Sequence, residues 1–225
     1  MTEKEFRVQM IDQFSINMVF NYTQPFSRES IINKLLEKKF VVIQSNIPDI
    51  LGRSPHIAKN EKGDITIDYI PENGVIGVSG NEFAVVIKNF EILLKLINDI
   101  MGTEVDNNII RLYEVIAHVR VGYSKDSKET TEPREIISNF IGKEKLKKFE
   151  SIFKNPSFFT IRITPDKELP NKTEWYDVVV EPLYINPKQY HIGIVYRSQD
   201  IENIKNLTKE MENKIIHIVS QINEG

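Results

Sequence analysis

The clearest pattern along the chain is alternation. From Phe14 to Tyr22, apolar Phe14, Ile16, Met18, Phe20 and Tyr22 interleave with Ser15, Asn17, Val19 and Asn21. A period of two with one apolar face predicts a strand lying on a core. The pattern returns at Tyr113, where Tyr113, Val115, Ala117, Val119, Val121 and Tyr123 share one face and Glu114, Ile116, His118 and Arg120 the other. After the first strand, SRESIINKLLEKKF (27–40) predicts a helix capped by Ser27 or Ser30, with Ile31, Ile32, Leu35 and Leu36 as its buried stripe. FVVIQS (40–45) fits a short strand, and residues 46–63, with two prolines and two glycines, read as an irregular loop. ITIDYI (65–70), VIGVSG (75–80) and EFAVVI (82–87) are predicted as strands, parted by turns at Pro71–Gly74 and Gly80–Asn81. NFEILLKLINDIMG (89–102) predicts an apolar helix stopped near Gly102.

Beyond the second alternating strand, SKDSKETTEPRE (124–135) is a polar loop and EIISNFIGKEKLKKFESIF (135–153) a helix weakened at Gly142. FFTIRIT (158–164), EWYDVVVEPLYI (174–185) and YHIGIVYR (190–197) are strand candidates. The last helix spans about 201–222. Ile201, Ile204, Met211, Ile215, Ile218 and Ile222 follow a three–four spacing, with Thr208 on the one polar step. Strand, helix, three strands, helix is thus met twice, once in residues 1–102 and once in 103–225. The halves share this order, not residues. The fold class expected is α+β: a curved, mainly antiparallel sheet with helices on one face, built from two pseudo-repeats sharing one continuous sheet.

This order resembles the duplicated saddle of the TATA-box-binding protein family. The resemblance covers most of the chain and rests on topology. It implies an open concave sheet face; in that family this face meets the DNA minor groove, and paired phenylalanines wedge between base steps. The alternation would place Ser15, Asn17 and Asn21 on that face in the first half, and Glu114, His118, Arg120, Thr160, Arg162 and Thr164 in the second. Either Trp175, Asp177 and Glu181 or Tyr176, Val178 and Val180 join them, depending on register. No duplicated phenylalanine pair accompanies these positions, and Glu114 and Glu181 would repel phosphate. The fold analogy therefore does not carry the function with it.

Charge changes the picture little. The net charge is −3, spread as 11 Lys/Arg against 13 Asp/Glu in residues 1–102 and 18 against 19 in 103–225. Neither half is a basic nucleic-acid module. The chain has no cysteine, which excludes disulfides, thiolate metal sites and cysteine nucleophiles. MTEKEFRVQM lacks an apolar signal core and no run approaches ~20 apolar residues, so a soluble cytoplasmic protein without a membrane partner is expected. No P-loop, nucleophile elbow, dinucleotide fingerprint or zinc spacing occurs. Gly74-x-x-Gly77-x-x-Gly80 has the wrong spacing for a phosphate loop and reads as a strand bounded by turns.

The candidate chemistry lies in the second half. His118, His191, Glu114 and Glu181 could meet if their strands are neighbours, giving a carboxylate–imidazole cluster for acid–base work or for zinc. Arg120, Arg162 and Arg197 sit on strand candidates, where they either converge on an anion or pair across strands with Glu114 and Glu181. Gly142-Lys-Glu-Lys-Leu-Lys-Lys-Phe149, followed by Lys154, is the most basic stretch and reads as a solvated helix face. Trp175, the only tryptophan, closes a core edge or stacks on a partner. His217 reads as a packing residue, and the last helix could pair with a second copy. The binding residues expected are Glu114, His118, Arg120, Arg162, Trp175, Glu181 and His191, with no catalytic residue, metal or cofactor assigned. The function expected is a non-enzymatic binding or protein-interaction module, its partner an unknown protein or itself, using the open sheet face or a subunit interface. A saddle-type nucleic-acid binder and an enzyme or small-anion binder centred on His118, Arg120 and Arg162 are the alternatives.

Overall fold

The computed structural model describes residues 5–43, 56–124, 131–170 and 172–224. Its centre is the pair formed by β1 (Phe6–Phe20) and β6 (Ile110–Tyr123), antiparallel along nearly their whole length. Beyond β1 lie β5 (Val75–Gly80), β4 (Ile65–Ile70), β3 (His56–Lys59) and β2 (Val41–Val42). Beyond β6 lie β9 (Tyr190–Ser198), β8 (Trp175–Pro182) and β7 (Ile161–Ile163). All eight neighbouring pairs are antiparallel, so this is one open nine-stranded sheet.

Helices α1 (Arg28–Glu37), α2 (Phe83–Met101), α3 (Pro133–Ile141), α4 (Ile201–Lys209) and α5 (Met211–Glu224) cover one face. Their buried stripes, including Leu35, Phe90, Ile137, Ile204 and Ile215, join one core with Phe14, Ile16, Met18, Val115, Ala117, Val119, Ile192 and Ile194. Each such side chain contributes about 1.5–3 kcal/mol on leaving water, and only one face of each strand supplies them. The alternation read from the sequence is therefore the arrangement seen.

Several elements differ from expectation for local reasons. The first strand begins eight residues earlier, at Phe6, and ends at Phe20. Its register against β6 shifts three times, at bulges on Gln9 and Asp12 near its start and between Val19 and Phe20 at its end. The two bulges break the period of two, so the core positions run Phe6, Val8, Ile11, Phe14 instead of alternating. The same bulges blunt the stretch 6–13, which β5 does not reach because its ladder ends at Phe14–Gly80. Residues 82–87 are not a strand: α2 starts at Phe83, and its stripe of Val86, Phe90, Leu93 and Ile97 begins inside that segment. Tertiary packing overrides the β-branched character of Val85, Val86 and Ile87. Residues 56–59, expected to be irregular, form β3, whereas 44–55 lie outside the described residues. The strand expected at 158–164 is confined to Ile161–Ile163.

The terminal helix is two helices with a break at Glu210. Just before it, the buried Thr208 hydroxyl donates to the carbonyls of Ile204 (2.8 Å) and Lys205 (3.1 Å). Such back-bonding bends a helix. The remaining stop signals act as read. Ser27 caps α1, accepting from the Ser30 amide at 3.1 Å, Gly102 ends α2 at φ 70°, and α3 ends at Gly142, after which Lys143–Phe149 form a 3-10 turn.

Candidate functional site

The face opposite the helices is where the predicted residues assemble. Continuous pairing of Tyr113–Val121 with Tyr190–Ser198 aligns Glu114 with Arg197, His118 with Gly193 and Arg120 with His191. The next ladder aligns Trp175 with Arg197, Val179 with Gly193 and Glu181 with His191, and β7 adds Arg162 beside Val179. Residues directly opposite one another share a face. Glu114, His118, Arg120, Arg162, Trp175, Glu181 and His191 therefore all lie on the uncovered face. Of the two registers open for β8, the one placing Trp175, Asp177 and Glu181 there is the one adopted.

The arginines do not converge on an anion. Arg120 forks onto Asp12, its Nε donating to Oδ2 at 2.8 Å. Arg162 forks onto Asp177 at 2.9 and 2.6 Å. Arg197 donates from Nε to Glu114 Oε2 at 2.6 Å and from its terminal nitrogen to the Pro170 carbonyl. Its guanidinium also lies over the Trp175 ring, 5.5 Å from the centroid. Trp175 is accordingly buried on the open face, beneath Arg197 and the segment containing Pro170. Of the two outcomes open from the sequence, the arginines pair across strands, but only Arg197 takes an anticipated partner, Glu114; Arg120 and Arg162 take Asp12 and Asp177, and Glu181 bonds His191 instead of an arginine. Asp12 became invisible to alternation because it is the extra residue of a bulge.

Between the arginine pairs runs a line of hydrogen-bonding side chains. Thr160 Oγ1 donates to Glu181 Oε2 at 3.4 Å. Glu181 Oε1 lies 3.1 Å from His191 Nδ1, and His191 Nε2 lies 3.4 Å from His118 Nδ1. The two imidazoles stack at 5.4 Å with 12° between planes. With both rings neutral, Glu181 accepts from His191 Nδ1–H and His191 Nε2 accepts from His118 Nδ1–H. That leaves His118 Nε2 as the free acceptor of the line. Gly193 supplies no side chain beneath His118, so the ring lies over bare backbone.

Burial pushes the His118 pKa below the usual imidazole value, and neighbouring His191 adds to this; Asp12 acts in the opposite sense. The site thus favours the neutral form of His118, because protonation would place a charge on a half-buried ring stacked against a second imidazole. Half-buried Ile116, Val179 and Val195 surround the line on the same face.

Sequence reasoning missed a second cluster, on the first half. His56 bonds Asp68 Oδ1 through Nδ1, and Ser79 Oγ donates to Asp68 Oδ2 at 2.9 Å. The carboxylate stands between imidazole and hydroxyl, so the serine has no base to activate it. His56 was hidden in a stretch read as loop. Among the described residues no group of three or more His, Asp or Glu is arranged to hold a metal, and no helix is long and apolar enough to cross a membrane. His217 is exposed on α5, not packed.

Comparison with known proteins returned no matching family, curated protein or solved structure.

Proposed function

We propose that this chain is a binding protein that recognises a protein partner on the open face of its second half, around His118, His191 and Glu181. One observation carries the reading. Arg120, Arg162 and Arg197, which flank the His–His–Glu line, are each already neutralised by a carboxylate of the same chain, while that line and its apolar flanks are left uncovered. A face meant for phosphate needs uncommitted cations, because phosphate affinity comes from Lys and Arg that displace counterions. A face of intrachain ion pairs around half-buried aliphatic side chains suits a transient protein interface, which is about as apolar as ordinary surface and has a polar rim. The same observation weighs against both the saddle-type nucleic-acid reading and the anion-binding reading. Among the described residues no serine or threonine hydroxyl shares a hydrogen bond with an imidazole; Ser79, which lies near His56 through Asp68, donates to that carboxylate instead.

The imidazole line gives such an interface a pH dependence. Neutral His118 offers an acceptor at Nε2; acidification converts it to a donor and adds a positive charge to a face where Asp12, Glu114, Asp177 and Glu181 stand against Arg120, Arg162 and Arg197. The test is affinity capture from extract of the source cells with three forms of the protein: wild type, Ile116→Arg on the open face, and Lys209→Glu on the helix side. A partner retained by wild type and Lys209→Glu but lost with Ile116→Arg supports the reading. Equal recovery by all three forms, or tight binding to duplex DNA with a steep salt dependence, overturns it.

A further inference from the structure

The stretch between α3 and β7 has a chemistry the open face does not use. Lys143, Lys145, Lys147, Lys148 and Lys154 stand against only Glu144 and Glu150, a local excess of three positive charges in a chain whose net charge is −3. Lys143 pairs with Glu135 at 3.1 Å. The other four lysines are exposed and form no ion pair among the described residues. Interleaved with them are Phe149, Ile152 and Phe153, exposed by 45%, 68% and 60%. The amides of Ile152 and Phe153 both donate to the Phe149 carbonyl at 2.9 Å, so one helical turn presents these three side chains together. Buried Leu146 anchors the turn beneath them. A solvated helix face accounts for the lysines but not for three large apolar groups held in water beside them.

We propose that this turn is a membrane-surface contact that docks on an anionic bilayer, with Phe149, Ile152 and Phe153 entering the headgroup–acyl boundary and Lys145, Lys147, Lys148 and Lys154 facing the lipid phosphates. The charge decides the occupant. A second copy docked patch to patch across a two-fold would bring the same four lysines against themselves, and a neutral protein surface would leave them unmatched. An anionic leaflet matches both components at once, since apolar insertion and lysine attraction add. The contact is peripheral. The absence of a membrane partner was expected from the lack of a long apolar run, a criterion that interleaved Phe and Lys escape.

The test uses the full chain and unilamellar vesicles of phosphatidylcholine with about 30% phosphatidylserine, against phosphatidylcholine alone, in a sedimentation assay. Each lysine near an anionic surface is worth roughly a fivefold change in partitioning. Lys147→Glu with Lys148→Glu is therefore expected to lower partitioning at least about tenfold, and Ile152→Ala with Phe153→Ala by a similar factor. All four positions are exposed, so far-ultraviolet circular dichroism of the variants should match wild type. Binding that requires phosphatidylserine, weakens with salt and is lost in both variants supports the proposal. Equal sedimentation with neutral vesicles, no sedimentation with either, or self-association abolished by Ile152→Glu would each overturn it. Retention on duplex DNA with no vesicle binding would also overturn it.

Discussion

Whether Arg197 is free to meet a ligand or committed to holding the fold is decided by its pair with Glu114. The pair bridges β6 and β9 on the open face, with the Arg side chain 26% and the Glu side chain 17% exposed. The guanidinium also donates to the Pro170 carbonyl and covers Trp175. Glu114→Gln removes the charge while keeping the shape, leaving a half-buried guanidinium short of its anion. A hydrogen bond to a charged group is worth about 1.5–3 kcal/mol, and breaking a fully buried pair costs roughly 3–5 kcal/mol. Residual exposure on both sides puts this case at about 2–3 kcal/mol, a fall in Tm of roughly 4–12 °C for a chain of this size. Urea unfolding of Glu114→Gln, Arg197→Met and the double variant isolates the pair, with an expected coupling of at least about 1 kcal/mol. Arg162, whose side chain is 63% exposed, serves as the contrast: Arg162→Met should move stability far less. If Glu114→Gln unfolds within about 0.5 kcal/mol of wild type and the coupling is near zero, Arg197 is not committed to the fold and the argument against an anion site fails.

Three further outcomes follow from the same geometry. A Cβ at Gly77 would sit 2.0 Å from Asn17 Oδ1 and 2.8 Å from the Ile16 carbonyl, whereas one at Gly193 would only reach His118 at 3.6 Å. Gly77→Ala should therefore cost about 1–3 kcal/mol by overpacking and Gly193→Ala much less, by urea midpoint. His118 titrates below its unfolded value, so its contribution is present above about pH 6.5 and is lost as pH falls through the folded pKa. Urea midpoints between about pH 7.5 and 5.5 should thus fall less steeply in His118→Gln than in wild type. Tyr113 is pushed up to about 12 by burial, with Asp200 adding to it. Its share of stability is complete below about pH 10 and is lost as pH rises toward 12, and phenolate absorbance should show it ionising after the exposed tyrosines.

How far the sequence could be read depended on where each residue sits in the ladders. β6 is central, pairs with β9 without a bulge, and follows strict alternation. Its faces, and with them Glu114, His118 and Arg120, were legible from residues 113–123 alone. β1 pairs with the same strand through two bulges, so only its second half looked like a strand, and Asp12, the partner of Arg120, was hidden. Residues 82–87 misled because their β-branched side chains outweigh, over so short a stretch, a helical stripe that spans the 19 residues of Phe83–Met101. The contact of His118 with His191 spans 73 positions and depends on the β6–β9 register, which no local pattern encodes. His56 and Asp68 meet for the same kind of reason, across the short β3–β4 ladder.

The account stands on the open face of the second half being the recognition surface. Its most direct test is the affinity of the captured partner for wild type and for Ile116→Arg at pH 7.5 and pH 5.5, by isothermal calorimetry. The account expects binding by wild type at the higher pH, weaker binding at the lower, and none by Ile116→Arg at either, since a buried charge at an interface centre costs several kcal/mol. Undiminished binding by Ile116→Arg would contradict it.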